Sequence, residues 1–316
     1  MTTPIKVAAF VTALAAVFAL ALGAGTWFGP DAAPTAAAAH ETHGSSDSDT
    51  TQPASADPAD IPGGLMISQD GYSLALAKPA ATASADVPVR FTIIGPDGAP
   101  VTAYEVEHEK QLHLIAVRRD FTGFQHVHPE FSPDGTWSTD LDLTPGQWRL
   151  FADFKATGAD ALTLGADLAV AGAYQAAEHV GETRTAEVDG YTVTLDGDLS
   201  AGADAKLTLA VERNGAPVTD LEPYLGAYGH LVALRSGDLA YLHVHPDGAP
   251  GDGTTKPGPD VVFYAAVPSA GIYHLYLDFK HRGVVRTAAF TVTTTSSTGP
   301  AAIVPTDDSG DGHTAH

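Results

Sequence analysis

Apolar and polar residues between positions 62 and 294 follow the pattern of β-strands. Short segments such as VPVRFTII, LHLIAV and GQWRLFADF either alternate apolar with polar residues or are almost continuously apolar. Gly, Pro and Asp separate these segments, and these residues favour the turns that join strands. Because no stretch of useful length has helical periodicity, the pattern predicts an all-β fold.

The chain also contains an internal repeat. The pentapeptide GAPVT at 98–102 recurs at 215–219, and over the 32 positions that begin there 14 residues are identical at a constant offset of 117. Several short strands within about 100 residues are typical of an immunoglobulin-like sandwich. We therefore predict two tandem immunoglobulin-like β-sandwich domains, repeat 1 at 62–172 and repeat 2 at 185–294, with a linker at 173–184.

An uncharged apolar stretch at residues 7–28 follows Lys6 near the N-terminus. Its 22 residues are longer than the apolar region of a signal peptide and long enough for a membrane-spanning helix. Residues 1–30 are therefore predicted to anchor the protein in the membrane. Cleavage of this segment as a signal, near the small residues at 37–39, is the alternative. Both possibilities place the bulk of the chain outside the cytoplasm, at the cell membrane or secreted.

The segments that flank the two repeats have compositions that cannot form a hydrophobic core. Residues 31–61 and 295–316 consist mostly of Ala, Ser, Thr, Asp, Gly and Pro. We therefore expect a flexible stalk and a disordered tail. Each segment carries two histidines, namely His40 and His43 in the stalk and His313 and His316 in the tail. We expect both segments to act as spacers; the alternative is that their sparse histidines capture metal weakly.

Charge and cysteine content limit the chemistry available to the chain. It has 38 acidic and 16 basic residues and a net charge of −22, which argues against nucleic acid as a partner because phosphate binding needs clustered Lys and Arg. The chain has no cysteine, so it has neither disulfides nor thiolate ligands. Any metal ion must therefore be held by nitrogen and oxygen atoms.

The strongest candidate site is a set of three histidines that occurs in both repeats. In each copy one histidine precedes a His-Val-His sequence by 13 residues. The two sets are His113, His126 and His128 in repeat 1, and His230, His243 and His245 in repeat 2. If residues 112–118 and 124–128 form a hairpin, paired positions sum to 241 and His113 lies opposite His128. The equivalent hairpin in repeat 2 places His230 opposite His245.

Residues i and i+2 of a strand project from the same face, so the three imidazoles of each hairpin are expected to converge. Such a cluster suits Zn²⁺ or Cu²⁺. Asp153 and Asp278, each near the end of a predicted strand, could supply a fourth ligand. The alternative is that the histidines are packed, hydrogen-bonded parts of the sandwich. Four further histidines have no counterpart in the other copy and are expected to be structural, namely His108, His179, His274 and His281.

The run HLIAVRRDFTGFQHVHPEF, followed by DGTW and PGQWRLFADF, resembles the YtkA-like group of extracytoplasmic β-sandwich domains and, more loosely, the CopC-type copper carriers. This resemblance covers most of each repeat through a short motif, and it implies a metal-handling, copper-related role. The matching residues are His113, His126, His128 and Asp153, with His230, His243, His245 and Asp278 in repeat 2. Met1 and Met66 are the only methionines, so the thioether clusters that suit Cu(I) are absent and copper(II) or zinc is favoured.

These observations predict a membrane-tethered metal-binding protein that acts outside the cytoplasm as a buffer, chaperone or sensor for copper(II) or zinc. The sequence contains no phosphate loop, nucleophile elbow or metalloprotease motif, and we predict no enzymatic activity. Two alternatives stay open. One is a metal-independent immunoglobulin-like module for adhesion or assembly; the other, suggested by the His-Val-His strand, is a copper redox enzyme of the superoxide dismutase type. The sequence identifies no protein partner.

Overall fold

The structure, a computed structural model, describes residues 61–178, 181–242 and 244–294. All regular elements in these residues are β-strands, as the sequence pattern predicts. The predicted membrane segment, nearly all of the stalk, the C-terminal tail, His179 and the candidate ligand His243 lie outside the described residues. Within the described part of the chain, no helix is long and apolar enough to cross a membrane.

Repeat 1 forms two sheets of five strands each. Its strands are β1 (Ser68–Gln69), β2 (Tyr72–Leu76), β3 (Ala80–Thr82), β4 (Ser84–Ile94), β5 (Leu112–Arg118), β6 (Gln125–Val127), β7 (Glu130–Phe131), β8 (Thr136–Leu143), β9 (Gly146–Lys155) and β10 (Ala161–Ala171). The first sheet has the order β1-β2-β4-β8-β7 and the second the order β3-β10-β9-β5-β6. Strand β3 runs parallel to β10, whereas the neighbouring β9 and β5 pair antiparallel. This is the arrangement of an immunoglobulin-like sandwich, in which strands A, B, E and D face strands C, F and G.

Repeat 2 has the same strand order, except that its described residues contain no strand equivalent to β3. Its strands are β11 (Thr185–Val188), β12 (Tyr191–Asp196), β13 (Ala203–Arg213), β14 (Ala216–Pro217), β15 (His230–Arg235), β16 (Tyr241–Leu242), β17 (Val244–Pro246), β18 (Asp260–Val267), β19 (Ile272–His281) and β20 (Val284–Thr293). One sheet has the order β11-β12-β13-β18-β17, with β14 beside β13, and the other has the order β16-β15-β19-β20. The predicted pair of immunoglobulin-like domains is therefore confirmed.

Each repeat has its own hydrophobic core between its two sheets. In repeat 1 this core contains the buried side chains of Phe91 and Trp148, and in repeat 2 it contains those of Phe263 and Tyr273. Full burial of a side chain such as Phe contributes about 1.5–3 kcal/mol to stability. Because each core is closed within one repeat, each repeat is a domain in its own right.

A third hydrophobic cluster joins the two repeats. Side chains alternate along β5, so that Leu114 and Ala116 face the core of repeat 1 while Ile115 and Val117 belong to the shared cluster. Strand β15 of repeat 2 alternates in the same way. Both strands are almost continuously apolar because both of their faces are buried. The sheets that carry His113 and His230 are therefore the sheets through which the repeats pack together.

Contacts across the shared cluster are reciprocal. Phe124 of repeat 1 stacks on Tyr276 of repeat 2 with ring centroids 4.0 Å apart, and the ring of Phe151 lies 5.9 Å from that of Tyr241. In the alignment of the repeats, Phe124 corresponds to Tyr241 and Phe151 to Tyr276. The same pair of positions thus meets twice, as in the isologous interface of a homodimer. The Tyr276 hydroxyl also donates a hydrogen bond of 2.7 Å to the carbonyl oxygen of Phe121.

Candidate metal centre

The histidines of repeat 1 lie on and beside the hairpin formed by β5 and β6. This hairpin pairs Ile115 with His126, positions that sum to 241, so the predicted register is confirmed. Continued to the end of the hairpin, the register places His113 opposite His128, and the centroids of these two rings are 5.0 Å apart. The three imidazoles therefore lie on one face of the sheet, the face that packs against repeat 2.

The hairpin of repeat 2 keeps the predicted register only near its turn. Ala233 pairs with Leu242, positions that have the same sum as His230 and His245. Strand β17, however, pairs with β18 in the other sheet, and His245 is exposed there. The prediction that His230 lies opposite His245 is therefore wrong, because the chain changes sheet before it reaches that position. His243 lies outside the described residues.

The three histidines of repeat 1 bring three ring nitrogens together. Nδ1 of His113 lies 3.1 Å from Nε2 of His126 and 3.2 Å from Nε2 of His128. His113 is 4% exposed and the side chain of His126 is 1% exposed, whereas His128 is half-buried. The group of nitrogens is therefore closed off from solvent at two rings and more open at the third.

The outer nitrogens of two of these rings are fixed by hydrogen bonds. Nε2 of His113 lies 3.2 Å from the carbonyl oxygen of Glu107, and Nδ1 of His126 lies 2.8 Å from Oδ2 of Asp278 in repeat 2. Because carbonyl and carboxylate oxygens accept hydrogen bonds, these two nitrogens donate their N–H groups. In their neutral forms the rings then present lone pairs at Nδ1 of His113 and Nε2 of His126, the two atoms that face each other.

The two predicted aspartates occupy equivalent positions but make different contacts. Asp153 lies opposite His113 on the neighbouring strand, and Asp278 lies opposite His230 in the same way. Each carboxylate accepts a hydrogen bond from a threonine on the next strand, at 2.9 Å and 2.5 Å respectively. Asp278 in addition reaches across the interface to His126. Repeat 2 thus supplies a charge to the triad of repeat 1.

His230 brings a second side chain of repeat 2 into the same place. Its ring stacks on that of His113, with centroids 5.7 Å apart and 9° between the planes, and lies 4.6 Å from the ring of His126. His113 and His230 are equivalent residues, so they meet each other at the centre of the reciprocal interface. Nδ1 of His230 is buried and has no hydrogen-bond partner among the described residues.

Two overlapping sets of ligand atoms result, and the atoms of each set lie within 4.8 Å of one another. The first set is the triad of repeat 1, and the second consists of His126, His230 and Asp278. The sequence predicted one separate set in each repeat, and the described residues do not group in that way. Five of the predicted ligands lie together instead, and we call them the histidine cluster: His113, His126, His128, His230 and Asp278.

Burial disfavours protonation of three histidines of the cluster, namely His113, His128 and His230. It lowers the pKa of His113 to about 3 and that of His128 to about 4, and the neighbouring imidazole of His126 adds to both effects. It also holds the pKa of His230 well below the usual value for histidine. At pH 7 these rings are therefore neutral and their lone pairs are available. Burial raises the pKa of the Asp153 carboxyl group.

Two residues lie beside the cluster that the sequence did not assign to the site: Tyr224, which was not singled out, and His108, which was expected to be structural. The exposed ring of His108 lies 6.2 Å from the rings of His113 and His230, and Tyr224 lies 6.4 Å from the ring of His128. Burial and a nearby carboxylate raise the pKa of Tyr224 to about 12. The aligned position in the other repeat holds a different residue in both cases. Comparison of the two repeats therefore could not indicate that these residues lie near the site.

His274 and His281, which were expected to be structural, make packing and hydrogen-bond contacts. His274 stacks on Phe121 across the interface, with ring centroids 3.7 Å apart. Nδ1 of His281 lies 2.8 Å from the hydroxyl of Tyr191 within repeat 2. These contacts agree with the expectation for both residues.

One family model matches both repeats, at residues 67–171 and 186–296, under the description "Domain of unknown function (DUF8832)". The two matches cover more than half of the chain. The chain belongs to this family. DUF8832 thus includes both copies of the duplicated domain, but it gives no support to the YtkA-like or CopC-type names and it assigns no activity.

Comparison with curated proteins finds no match. Among solved structures, the chain is similar to the Escherichia coli adhesin FdeC at 15% identity, over 72% of this chain and 65% of that one, with a TM-score of 0.25. It is similar to a Salmonella alpha-2-macroglobulin at 15% identity, over 78% of this chain and 16% of that one, with a TM-score of 0.24. It is similar to the Yersinia pseudotuberculosis adhesin InvE at 13% identity, over 70% of this chain and 58% of that one, with a TM-score of 0.20. The chain spans less than two thirds of each of these proteins. Similarities at this level carry no argument about function.

Proposed function

We propose that this protein binds a divalent copper or zinc ion through Nδ1 of His113, Nε2 of His126 and Nε2 of His128. We further propose that it does so outside the cytoplasm, tethered through residues 1–30, as a metal buffer, chaperone or sensor rather than as an enzyme. The observation that carries the proposal is the convergence of three imidazole nitrogens, two of which have lone pairs that face each other.

Hydrogen bonding within the protein does not satisfy these three nitrogens. Nδ1 of His113 has a single lone pair, because its other nitrogen donates to the Glu107 carbonyl group. Both His126 and His128 direct a nitrogen at this one atom, at 3.1 and 3.2 Å. A proton joins two nitrogens, whereas a metal ion binds all three. The donor set therefore fits a metal ion better than a shared proton.

The spacing of the nitrogens also fits an ion. Two ligands at about 2.0–2.1 Å from a tetrahedral zinc ion are about 3.3 Å apart, and the two observed separations are 3.1 and 3.2 Å. Small shifts of the rings are enough to accept the ion. Three protein nitrogens leave a fourth position for water or another ligand.

The outer contacts of the triad support the same proposal. Histidines that bind metals usually donate their other N–H to a carbonyl or carboxylate group, which fixes the ring and makes the bound nitrogen more basic. His113 has such a contact with Glu107, and His126 has one with Asp278.

A metal-independent module for adhesion or assembly is the second candidate. The observation in its favour is the architecture itself, two tandem immunoglobulin-like domains, which hosts many functions that require no metal. The two candidates differ in one measurable property. A metal-independent module has the same stability with and without copper or zinc.

Thermal unfolding and calorimetric titration of the full chain with Zn²⁺ and Cu²⁺ test the proposal. An ion that binds only the folded state adds about 2.7 kcal/mol of stability at a concentration of 100 times Kd. We therefore expect the unfolding temperature to rise when metal is added. His128→Ala should weaken binding at least about tenfold, whereas His245→Ala, which removes an exposed histidine of β17, should leave it unchanged. If metal does not stabilise the protein, or stabilises His128→Ala as much as the wild type, the second candidate is favoured.

A further inference from the structure

We propose that Nδ1 of His126, His230 and Asp278 form a second metal position, so that the imidazole of His126 bridges two ions. This inference rests on the proposed function, because it takes the ion at the repeat 1 triad as the first of the two. It adds a ligand set that belongs mainly to repeat 2.

The two nitrogens of His126 face two different sets of donors. Nε2 lies 3.1 Å from Nδ1 of His113, in the first set, and Nδ1 lies 2.8 Å from Oδ2 of Asp278, in the second. The side chain of His126 is 1% exposed, so solvent competes for neither nitrogen. A ring in this position can bind one ion on each side.

His230 supplies the second donor atom, Nδ1. Its Nδ1 is buried and lacks a hydrogen-bond partner among the described residues. Buried polar atoms in native proteins nearly always have a partner, because leaving one without a partner is unfavourable. A neutral imidazole that carries its proton on Nε2 has a lone pair at Nδ1. A metal ion would use the lone pair.

Asp278 supplies the third donor and negative charge. Its Oδ1 accepts a hydrogen bond from the hydroxyl of Thr287, which leaves Oδ2 directed at His126. Two imidazole nitrogens and one carboxylate oxygen are a ligand set that suits zinc or copper(II). The carboxylate also offsets part of the charge that a second divalent ion brings into a buried site.

Formation of this position needs a small movement and the loss of one proton. His126, His230 and Asp278 each offer a ligand atom, and these atoms lie within 4.8 Å of one another, whereas bonds of about 2.0–2.1 Å require separations of about 3–4 Å. His230 can turn toward the ion without breaking a hydrogen bond at Nδ1. The Nδ1–H bond of His126 breaks and its proton leaves to solvent, while Oδ2 of Asp278 changes from hydrogen-bond acceptor to metal ligand. No oxidation or reduction is involved.

The test uses the full chain and Cu²⁺ as the probe. Copper bound per chain is measured for the wild type and for variants, and the differences between them remove the contribution of His40, His43, His313 and His316. We expect His126→Ala to bind two ions fewer than the wild type, and His230→Ala and His128→Ala to bind one fewer each. His245→Ala, the matched control in repeat 2, should bind as many as the wild type.

Electron paramagnetic resonance distinguishes a bridged pair from two unrelated ions. Two copper(II) ions joined by an imidazolate couple their spins, so the signal of the doubly loaded wild type should be weaker than that of two isolated ions. The His230→Ala variant should instead give the full signal of one copper(II) ion. Full, uncoupled signals from both ions in the wild type would overturn the bridge.

The possible results separate this inference from the proposed function. If His126→Ala loses one ion and His230→Ala loses none, the second position is overturned while the first stands. If His126→Ala binds as much copper as the wild type, both are overturned. His230→Gln serves if His230→Ala fails to fold, because glutamine keeps a polar side chain at this place. Circular dichroism of the metal-free variants identifies that case.

Discussion

Among single residues, Asp278 links the two repeats most directly. Its carboxylate comes from repeat 2 and accepts a hydrogen bond from His126 in repeat 1, while the hydroxyl of Thr287 holds its other oxygen. The carboxylate thereby fixes the tautomer of His126 that exposes a lone pair at Nε2. On the proposed function, a residue outside the triad thus strengthens the binding of the metal ion by the triad.

Asp278→Asn should weaken metal binding about 10- to 100-fold, because an outer carboxylate that orients a ligating histidine has an effect of that size. Calorimetric titration with Zn²⁺ measures the change. Asp153→Asn is the matched control, since Asp153 occupies the equivalent position in repeat 1 and its carboxylate is bonded to Thr163. Equal losses of affinity in both variants would contradict the role assigned to Asp278.

The metal-free protein should lose stability on acidification. The pKa of His113 lies at about 3 and that of His128 at about 4, below the value of about 6.5 that applies to the unfolded chain. Between these values the unfolded state binds more protons than the folded state, so the free energy of unfolding falls as pH drops from about 6.5 to about 4. Urea denaturation over this range, with metal removed by a chelator, measures the decline.

His128→Gln is the comparison for that experiment, because glutamine does not take up a proton. Its decline in stability with falling pH should be shallower than that of the wild type. An equal decline in both proteins would show that His128 is protonated in the folded state as easily as in the unfolded chain.

Among the elements, the β5–β6 hairpin could be predicted in detail from the sequence. Its register follows from the turn and from the alternation of side chains, and Ile115 pairs with His126 as expected. The equivalent strand of repeat 2 could not be predicted, because its crossing to the other sheet before His245 depends on pairing with β18, which is distant in sequence.

The shared interface was also missed, although the sequence carried a signal for it. The segments LHLIAV and HLVAL are almost continuously apolar rather than alternating. Such segments indicate strands that are buried on both faces. A single two-sheet sandwich buries only one face of each of its strands. The second face of β5 therefore had to meet another surface, which the structure shows to be repeat 2.

Tyr276→Phe should destabilise the protein by about 0.5–1.5 kcal/mol, because it removes one hydrogen bond. The bond in question joins the Tyr276 hydroxyl to the carbonyl oxygen of Phe121 across the interface. Tyr264→Phe, at an exposed tyrosine of β18, is the control and should change stability by less than about 0.5 kcal/mol. Urea denaturation measures both. Equal effects would contradict an energetic contribution of the interface bond.

In the whole molecule, each repeat has its own hydrophobic core, and a third hydrophobic cluster joins the repeats. Both repeats also contribute residues to the histidine cluster. On the proposed function, we expect an ion bound in the histidine cluster to stabilise the folded form of both repeats and to couple their unfolding. The buried Trp137 and Trp148 report on repeat 1, and repeat 2 contains no tryptophan. Circular dichroism reports on both repeats.

With Zn²⁺ present, the unfolding transitions measured by fluorescence and by circular dichroism should therefore shift together to higher temperature. Asp278→Asn should reduce the shift in both signals. If metal shifts only the fluorescence transition, the ion belongs to repeat 1 alone.

The reciprocal interface has a further consequence because both halves belong to one chain. Residues 172–184 join β10 to β11, and a short connection of this kind holds two partners at an effective concentration on the order of millimolar. A homodimer with the same contacts would dissociate on dilution and separate Asp278 from His126. Here that contact does not depend on how much protein is present. On the proposed function, a single molecule can therefore complete its metal site at any protein concentration, without a second copy of the chain.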